Sequence, residues 1–483
     1  MRAGRIAAAV ALLAVVCTLY VPALDASYQF DDYRVIVRDA RVQSLVAWGA
    51  SMPGMRPVLK LSYALGHELG SGVRGFRALN IAIHALNAVL VLLLLERLSR
   101  RHGLDARPAI GVAFASALVF ALHPVQTEAV TYITGRSSSL MALACLASML
   151  AWLRATGESM AGRDGRSRAT ASCGARWWAA LLAALALATK ESALVLPLAL
   201  ALWAATEPAG NMTGSAPSVR SSWMRASWPL LTVFAVTGLL LLSLAPYREL
   251  VADSLAHRSL RDNILVQSQA IPYLVGQMVH IGRMNADPDL TIPQALSPES
   301  GLRLVLLAGV IVGGFAMHRR HPALAFGVLW FFVWLLPTHS LLPREDPVND
   351  RQLYLALVGP AWLVMFTAWQ GLQRLRLPAH LSTAAATVAL AVVAMTLAMA
   401  TLGRNRVYAT EISYWEDAAL RSPRKARVLN NLGYAYALSC RDAEAIGMFA
   451  RAAELDPADF RSRVNLRLLQ EGALFGEDER HCR

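Results

Sequence analysis

Two adjacent carboxylates, Asp31 and Asp32, stand just beyond the first apolar run, in the stretch Tyr28-Gln29-Phe30-Asp31-Asp32-Tyr33. A carboxylate within reach of a hydroxyl can accept its proton as a general base, provided that burial and neighbouring cations poise it. Adjacent side chains diverge on a regular backbone, so one acid of the pair can face a given hydroxyl while the other positions substrate or holds a cation. Further along, Arg56, Glu128, Arg136, Lys190, Glu191, Asp287 and Arg351 are ionisable groups close to apolar runs. Guanidinium binds phosphate oxygens bidentately. Arg351, with Lys190 and Arg136, therefore suits neutralisation of a departing phosphate, and Arg56, Glu128, Glu191 and Asp287 suit substrate positioning.

Each of these groups also has a plain structural reading: solvated turn acids, an interface anchor for Arg136, an ordinary Asp-Pro turn at Asp287-Pro288. Lys190-Glu191 is the sharper observation, because both charges stand between two apolar runs, and a charge at that depth usually faces a cavity. No metal set is assigned. His123 has no His or Cys partner at ligand spacing, and Asp287 and Asp289 lack the remaining ligands of a calcium loop. The paired carboxylates still leave room for a divalent cation. No Walker loop, dinucleotide fingerprint or nucleophile elbow occurs, so a soluble nucleotide donor has no recognisable seat.

The elements that must position these groups are membrane helices. The chain has 483 residues, of which 55% are hydrophobic and 16% charged, and its mean hydropathy is +0.41. That is too apolar for an ordinary soluble protein. A net charge of +13 raises nucleic acid as a partner, but the basic residues cluster in short loops between apolar runs, where orientation demands them, and no basic face with interleaved aromatics appears. The apolar runs predict an all-α, polytopic bundle of about eleven spans. They lie near residues 6–23, 76–95, 109–122, 138–153, 177–189, 192–205, 229–245, 302–316, 324–336, 353–369 and 381–402. The first run resembles a signal peptide, but its small-residue cleavage site is poor, which favours an anchored span. Arg2 and Arg5, Arg97 to Arg107, Arg154 to Arg176, Arg220 and Arg225, Arg319 and Arg320, and Arg374 and Arg376 fall on one side, which puts the N-terminus inside and the C-terminus outside. Residues 264–281 carry Gln267, Gln269, Gln277 and His280 with Pro272. This segment is expected to be interfacial or re-entrant, packed against protein.

After Leu402 the composition becomes charged and amphipathic. Leu429, Leu432, Gly433, Tyr436, Ala445, Phe449, Ala452 and Pro457 fall at the signature positions of the 34-residue tetratricopeptide pattern, and Trp415, Ala418 and Pro423 fit the last part of a preceding repeat. Residues 1–402 thus form the membrane domain and 403–483 an extracytoplasmic repeat module. A stack of so few repeats must lean on another surface. Cys440 and Cys482 share this region, where a disulfide is compatible with an oxidising compartment.

Taken in order, Phe30-Asp31-Asp32, Arg56-Pro57, Asn80, His84 and Asn87, His123-Pro124 with Glu128, Gly135-Arg136, Thr189-Lys190-Glu191, Asn285-Ala286-Asp287 and Arg351-Gln352-Leu353-Tyr354, followed by the repeat module, resemble the GT-C glycosyltransferases. The likeness is greatest to the transmembrane-and-tetratricopeptide group related to protein O-mannosyltransferases. The resemblance implies a polyprenyl-phosphate-linked sugar donor, an extracytoplasmic hydroxyl acceptor on protein or glycan, inversion at the anomeric carbon, and Asp31 as the base. It departs from the related Asp-Glu motif at Asp32, one methylene shorter. The repeat module implies a protein partner, and a bacterial inner membrane is the expected setting. The rival from another class is a non-catalytic, membrane-anchored scaffold for envelope or glycan assembly. A whole-glycan ligase ranks lower, because the 342–351 loop is short.

Overall fold

The computed structural model describes residues 2–157, 173–208, 216–290, 293, 295–339, 343–344, 346–475 and 480. Part of the expected 154–176 basic loop, an Asn211-Met212-Thr213 sequon and Cys482 lie outside them. Among the described residues the regular structure is helical throughout. Among the described residues six helices are long and apolar enough to cross a membrane: Arg2–Ala23, Gly72–Arg101, Ile133–Ala155, Trp223–Ser243, Pro298–Met317 and Ala379–Val407. The count rises to 8 if each of two bent pairs, Ala106–Leu122 with Pro124–Val130 and Asp350–Ala356 with Val358–Arg374, is one span. The other expected spans are shorter apolar helices, Gly174–Thr189, Glu191–Ala205 and Pro322–Leu335. The first two are separate because Lys190 adopts an extended conformation, φ −158° and ψ 136°, between them.

The helix Gly72–Arg101 organises the bundle. Arg77, Asn80, His84 and Asn87 recur on one face at helical spacing, and all four are fully buried. Spans broken at His123-Pro124 and beyond leave carbonyls that cannot be bonded within their own helix, and this stripe serves them. Arg77 donates to the carbonyls of Leu24, Ala26, Ser27 and Thr131 at 2.6 to 2.9 Å. Asn80 Nδ2 reaches Val130 O at 3.1 Å, and His84 shares a proton with Ala121 O at 3.1 Å and with the Tyr354 hydroxyl at 2.8 Å. Asn87 Nδ2 donates to Ser139 O at 2.8 Å and to the Tyr354 hydroxyl at 2.9 Å. At the other end of the same helix, Glu96 accepts both arms of the Arg5 guanidinium at 2.7 and 2.9 Å. Arg77 and Glu96 stand about 28 Å apart along the axis. One end of this helix therefore has Arg5 and Arg100 beside Glu96, and the other end lies by the loop of Asp31 and its neighbours. Leu12, Val16, Leu19 and Tyr20 of the first helix are buried in the common apolar core.

The expected interfacial segment is a helix, Leu260–Val279, containing Pro272, and it is not among the helices that meet the length and hydropathy of a span. Its polar residues pack inward: Gln267 Oε1 bonds the His339 ring at 2.7 Å.

Helices Glu411–Arg421, Ala426–Leu438, Asp442–Leu455 and Phe460–Gln470 follow. Leu429, Leu432, Gly433, Tyr436, Ala445, Phe449 and Ala452 are all buried. A Cβ on Gly433 would lie 2.8 Å from the Phe449 ring, so glycine is what lets those two helices close on each other. Cys440 is disulfide-bonded.

Candidate active site

The two acids have different surroundings. Asp32 is fully buried; its Oδ2 accepts from the Gln29 N–H at 3.1 Å and its Oδ1 from the Thr134 N–H at 2.9 Å. Burial pushes its carboxyl up to about 7, against the opposing pull of those two donors and of Arg77. Asp32 thus ties the first loop to the 131–136 loop. Asp31 keeps 27% of its side chain exposed, with Arg34 at 3.4 Å. Its N–H donates to the Tyr132 hydroxyl at 3.0 Å. Phe30, just before it, has φ +33°, a left-handed conformation that a bulky residue keeps only when its surroundings enforce it. Here the enforcement comes from the C-terminal helices. Glu411 Oε1 accepts from the Phe30 N–H at 2.9 Å, the Phe30 ring meets Trp415 edge-on at 5.4 Å, and Ser27 N–H and Gln29 Nε2 donate to Ala409 O and Tyr408 O at 3.0 and 3.1 Å.

Arg351 sits in the field of Glu128, Tyr132, Asp31 and Asp346. Its N–H donates to Glu128 Oε2 at 3.0 Å, and its Nε lies 3.4 Å from Oε1. Lys190 lies in the combined field of Arg351, Arg344 and Arg56 and donates to Ser138 Oγ at 2.7 Å. Arg56, itself at φ +52°, grips Glu191 with Nε and Nη2 at 2.8 to 3.1 Å. Arg344, which the sequence reading passed over, feels Arg351 and Arg56; burial and those two cations together hold it below the usual guanidinium value. Four basic side chains, Arg351, Lys190, Arg344 and Arg56, therefore gather in one cluster with four carboxylates, Glu128, Glu191, Asp31 and Asp346.

Two expected members are not brought into this group. Arg136 is fully buried and its donors are engaged: Nε on Asn80 Oδ1 at 2.6 Å, Nη2 on Phe76 O at 2.7 Å, and Nη1 on Ser62, with the guanidinium 4.8 Å from the centre of the Tyr63 ring. Asp287 accepts from Lys425 Nζ at 2.5 Å and from Arg427 at 2.6 and 2.9 Å, joining the C-terminal helices to the bundle. Gly135 has an ordinary φ of −58°. Glycine is required there by space, since a Cβ would fall 2.0 Å from Glu128 O. Among the described residues no three His, Cys, Asp or Glu side chains gather as a metal set. Arg77, Tyr132 and Glu411 also went unread. Arg77 alone left a signal, as a charge in register with Asn80, His84 and Asn87; the other two depend on tertiary contacts.

No family model matches the chain. Among curated proteins it is similar to human protein O-mannosyl-transferase TMTC1, 32% identical over 165 residues, which is 30% of this chain and 18% of the relative. It is 29% identical to human protein O-mannosyl-transferase TMTC4 over 171 residues, 30% of this chain and 22% of the relative. Drosophila melanogaster protein O-mannosyl-transferase Tmtc3 matches over 397 residues at 23% identity, 73% of this chain and 42% of the relative. The chain thus spans less than half the length of these relatives, and the resemblance read from its motifs is to the group they represent.

Proposed function

We propose that the chain is an integral membrane glycosyltransferase that moves a sugar from a polyprenyl phosphate to a hydroxyl of an extracytoplasmic acceptor, protein or glycan, with inversion. The observation that carries this reading is the position of Arg351, which lies within the electrostatic reach of Asp31 and of Lys190 and Arg344. The names of the relatives support the reaction class, and the basic loops at the far end of the bundle support an outward-facing site. Residues 1–402 are assigned to a GT-C-like membrane domain and 403–483 to an extracytoplasmic tetratricopeptide module, in a bacterial inner membrane.

The reaction is a single displacement. The acceptor oxygen forms a bond to the anomeric carbon as the bond from that carbon to the phosphate oxygen breaks. The hydroxyl proton passes to Asp31, and the phosphate leaves with the bonding electrons, its charge met by Arg351, Lys190 and Arg344. Arg56 and Glu191 hold the Lys190 turn, and Glu128 orients Arg351. Asp32, Arg136 and Asp287 act through others as positioning residues. Glycosidase-like paired acids are unnecessary, because phosphate is already a good leaving group.

The test is transfer from polyprenyl-phosphate mannose by the purified full chain in lipid nanodiscs. Arg351→Gln and Arg344→Gln should each raise the KM for donor about tenfold or more, the cost of one charge-assisted phosphate contact. Transfer at wild-type rates with limiting donor in both variants would remove the phosphate seat. Absence of any transfer with a panel of donors would favour the scaffold reading.

A further inference from the structure

A cavity of about 420 Å³ opens where the Asp31 loop meets the C-terminal helices, with Phe30, Arg34, Arg38, Trp415, Asn431 and Tyr434 in its wall. It lies beside the acid: Phe30 precedes Asp31 in the chain, and Arg34, in the cavity wall, is 3.4 Å from the Asp31 carboxylate. Along one wall runs a chain of amides. Asn465 Nδ2 donates to Asn430 Oδ1 at 3.0 Å, and Asn430 Nδ2 donates to Asn431 Oδ1 at 3.4 Å. The chain ends on Asn431 Nδ2, a shielded donor that finds no acceptor among the described residues. A shielded donor without an acceptor costs free energy, and a ligand carbonyl would relieve it. The rim is cationic, with the Arg34 side chain 83% exposed and Arg38 also exposed, while the acid in the wall, Glu411, is turned onto the Phe30 N–H.

We infer that this cavity is the acceptor site, and that it takes an extended polypeptide segment in which a serine or threonine is flanked by acidic residues. Asn431 Nδ2 donates to a backbone carbonyl of that segment. Trp415, Phe30 and Tyr434 supply apolar wall for the side chain beside the hydroxyl. Arg34 meets a flanking carboxylate, which draws Arg34 away from Asp31 and leaves the base free to face the hydroxyl. Specificity for acidic flanks then comes from Arg34, and the same contact couples acceptor binding to release of the base. The inference rests on the transferase reading for the role of Asp31, but the binding claim stands on the cavity alone.

The probes are two fluorescent peptides, a threonine flanked by aspartates and the same threonine flanked by lysines, titrated into the full chain in nanodiscs without donor. The wild type should bind the acidic peptide at least tenfold more tightly than the basic one. Arg34→Glu, at an exposed position that leaves the fold intact, should reverse that order. Asn431→Ala should weaken the acidic peptide about tenfold, with the melting temperature recorded alongside. Equal binding of both peptides by wild type, or an unchanged order in Arg34→Glu, overturns the inference. So does binding of an oligosaccharide in preference to either peptide. If the acidic peptide binds as described but no donor yields transfer, the cavity stands and the transferase reading fails. If transfer to the acidic peptide occurs with a KM that Arg34→Glu does not raise, the reverse holds.

Discussion

Replacing each acid of the Asp31-Asp32 pair by its amide should separate chemistry from architecture. Asp31→Asn removes a base but no hydrogen bond that organises the loop, because the contact made there by Asp31 is through its backbone N–H, to the Tyr132 hydroxyl at 3.0 Å. Among the described residues its carboxylate is in contact with the 83%-exposed Arg34 at 3.4 Å, a pair worth little in water. The expected result is a fall in kcat of about a hundredfold to ten-thousandfold, the range for a lost general base, with the melting temperature unchanged. Asp32→Asn leaves one acceptor oxygen where two are needed, for Gln29 N–H and Thr134 N–H at 3.1 and 2.9 Å. The amide nitrogen then confronts one of those donors. An unmet buried donor costs roughly 1–3 kcal/mol, reduced in part because the buried carboxylate is itself unfavourable, its pKa standing at about 7. Asp32→Asn should therefore melt a few degrees lower at neutral pH and lose activity in proportion to loop disorder. Transfer assays and thermal melts in the same nanodisc preparation decide it. Full activity in Asp31→Asn, or an inactive Asp32→Asn with an unaltered melt, would refute the division of labour.

The remaining expectations concern stability and docking. Asp32 and Glu411 both have folded-state values pushed by burial to about 7, above those of the unfolded chain. Their contribution to stability is therefore full below about pH 4 and is lost as pH rises through 7; melting at pH 5 should exceed that at pH 8, by less in Glu411→Gln. Asp287→Asn weakens the contacts from Lys425 and Arg427, so hydrogen exchange in helix Ala426–Leu438 should rise while that in Gly72–Arg101 stays constant. Gly135→Ala places a methyl 2.0 Å from a backbone carbonyl, and a cost of at least 1–3 kcal/mol should appear as lost expression of folded protein.

How far the sequence carried depended on whether a signal was local. The apolar runs and the positions Gly433, Ala445 and Phe449 could be read, because spans and helix pairs are set by periodicity along one segment. The charged residues were found, since a Lys190 or an Arg351 stands out against an apolar background. Their partners were not. Arg136 and Arg351 look alike as isolated arginines at the mouth of a span, and only the fold separates the one enclosed by Asn80, Ser62 and Phe76 from the one facing Glu128. Nothing near Asp287 in the chain signals its contacts with Lys425 and Arg427, nearly 140 residues later.

The attachment of the C-terminal helices bears on what the site requires. Residues 408–415 give the Asp31 loop four separate contacts, from Tyr408 O, Ala409 O, Glu411 and Trp415, and Tyr132, which takes the Asp31 N–H, lies in the same apolar cluster as Tyr408, Tyr414 and Trp415. A left-handed Phe30 costs about 1–3 kcal/mol and has no support from its own loop beyond these contacts and the Asp32 turn. The carboxylate of Asp31 is therefore held at its place by the first helix of the C-terminal region as much as by the membrane bundle. The C-terminal helices gain their footing on the very loop that they fix, and the two are expected to lose order together.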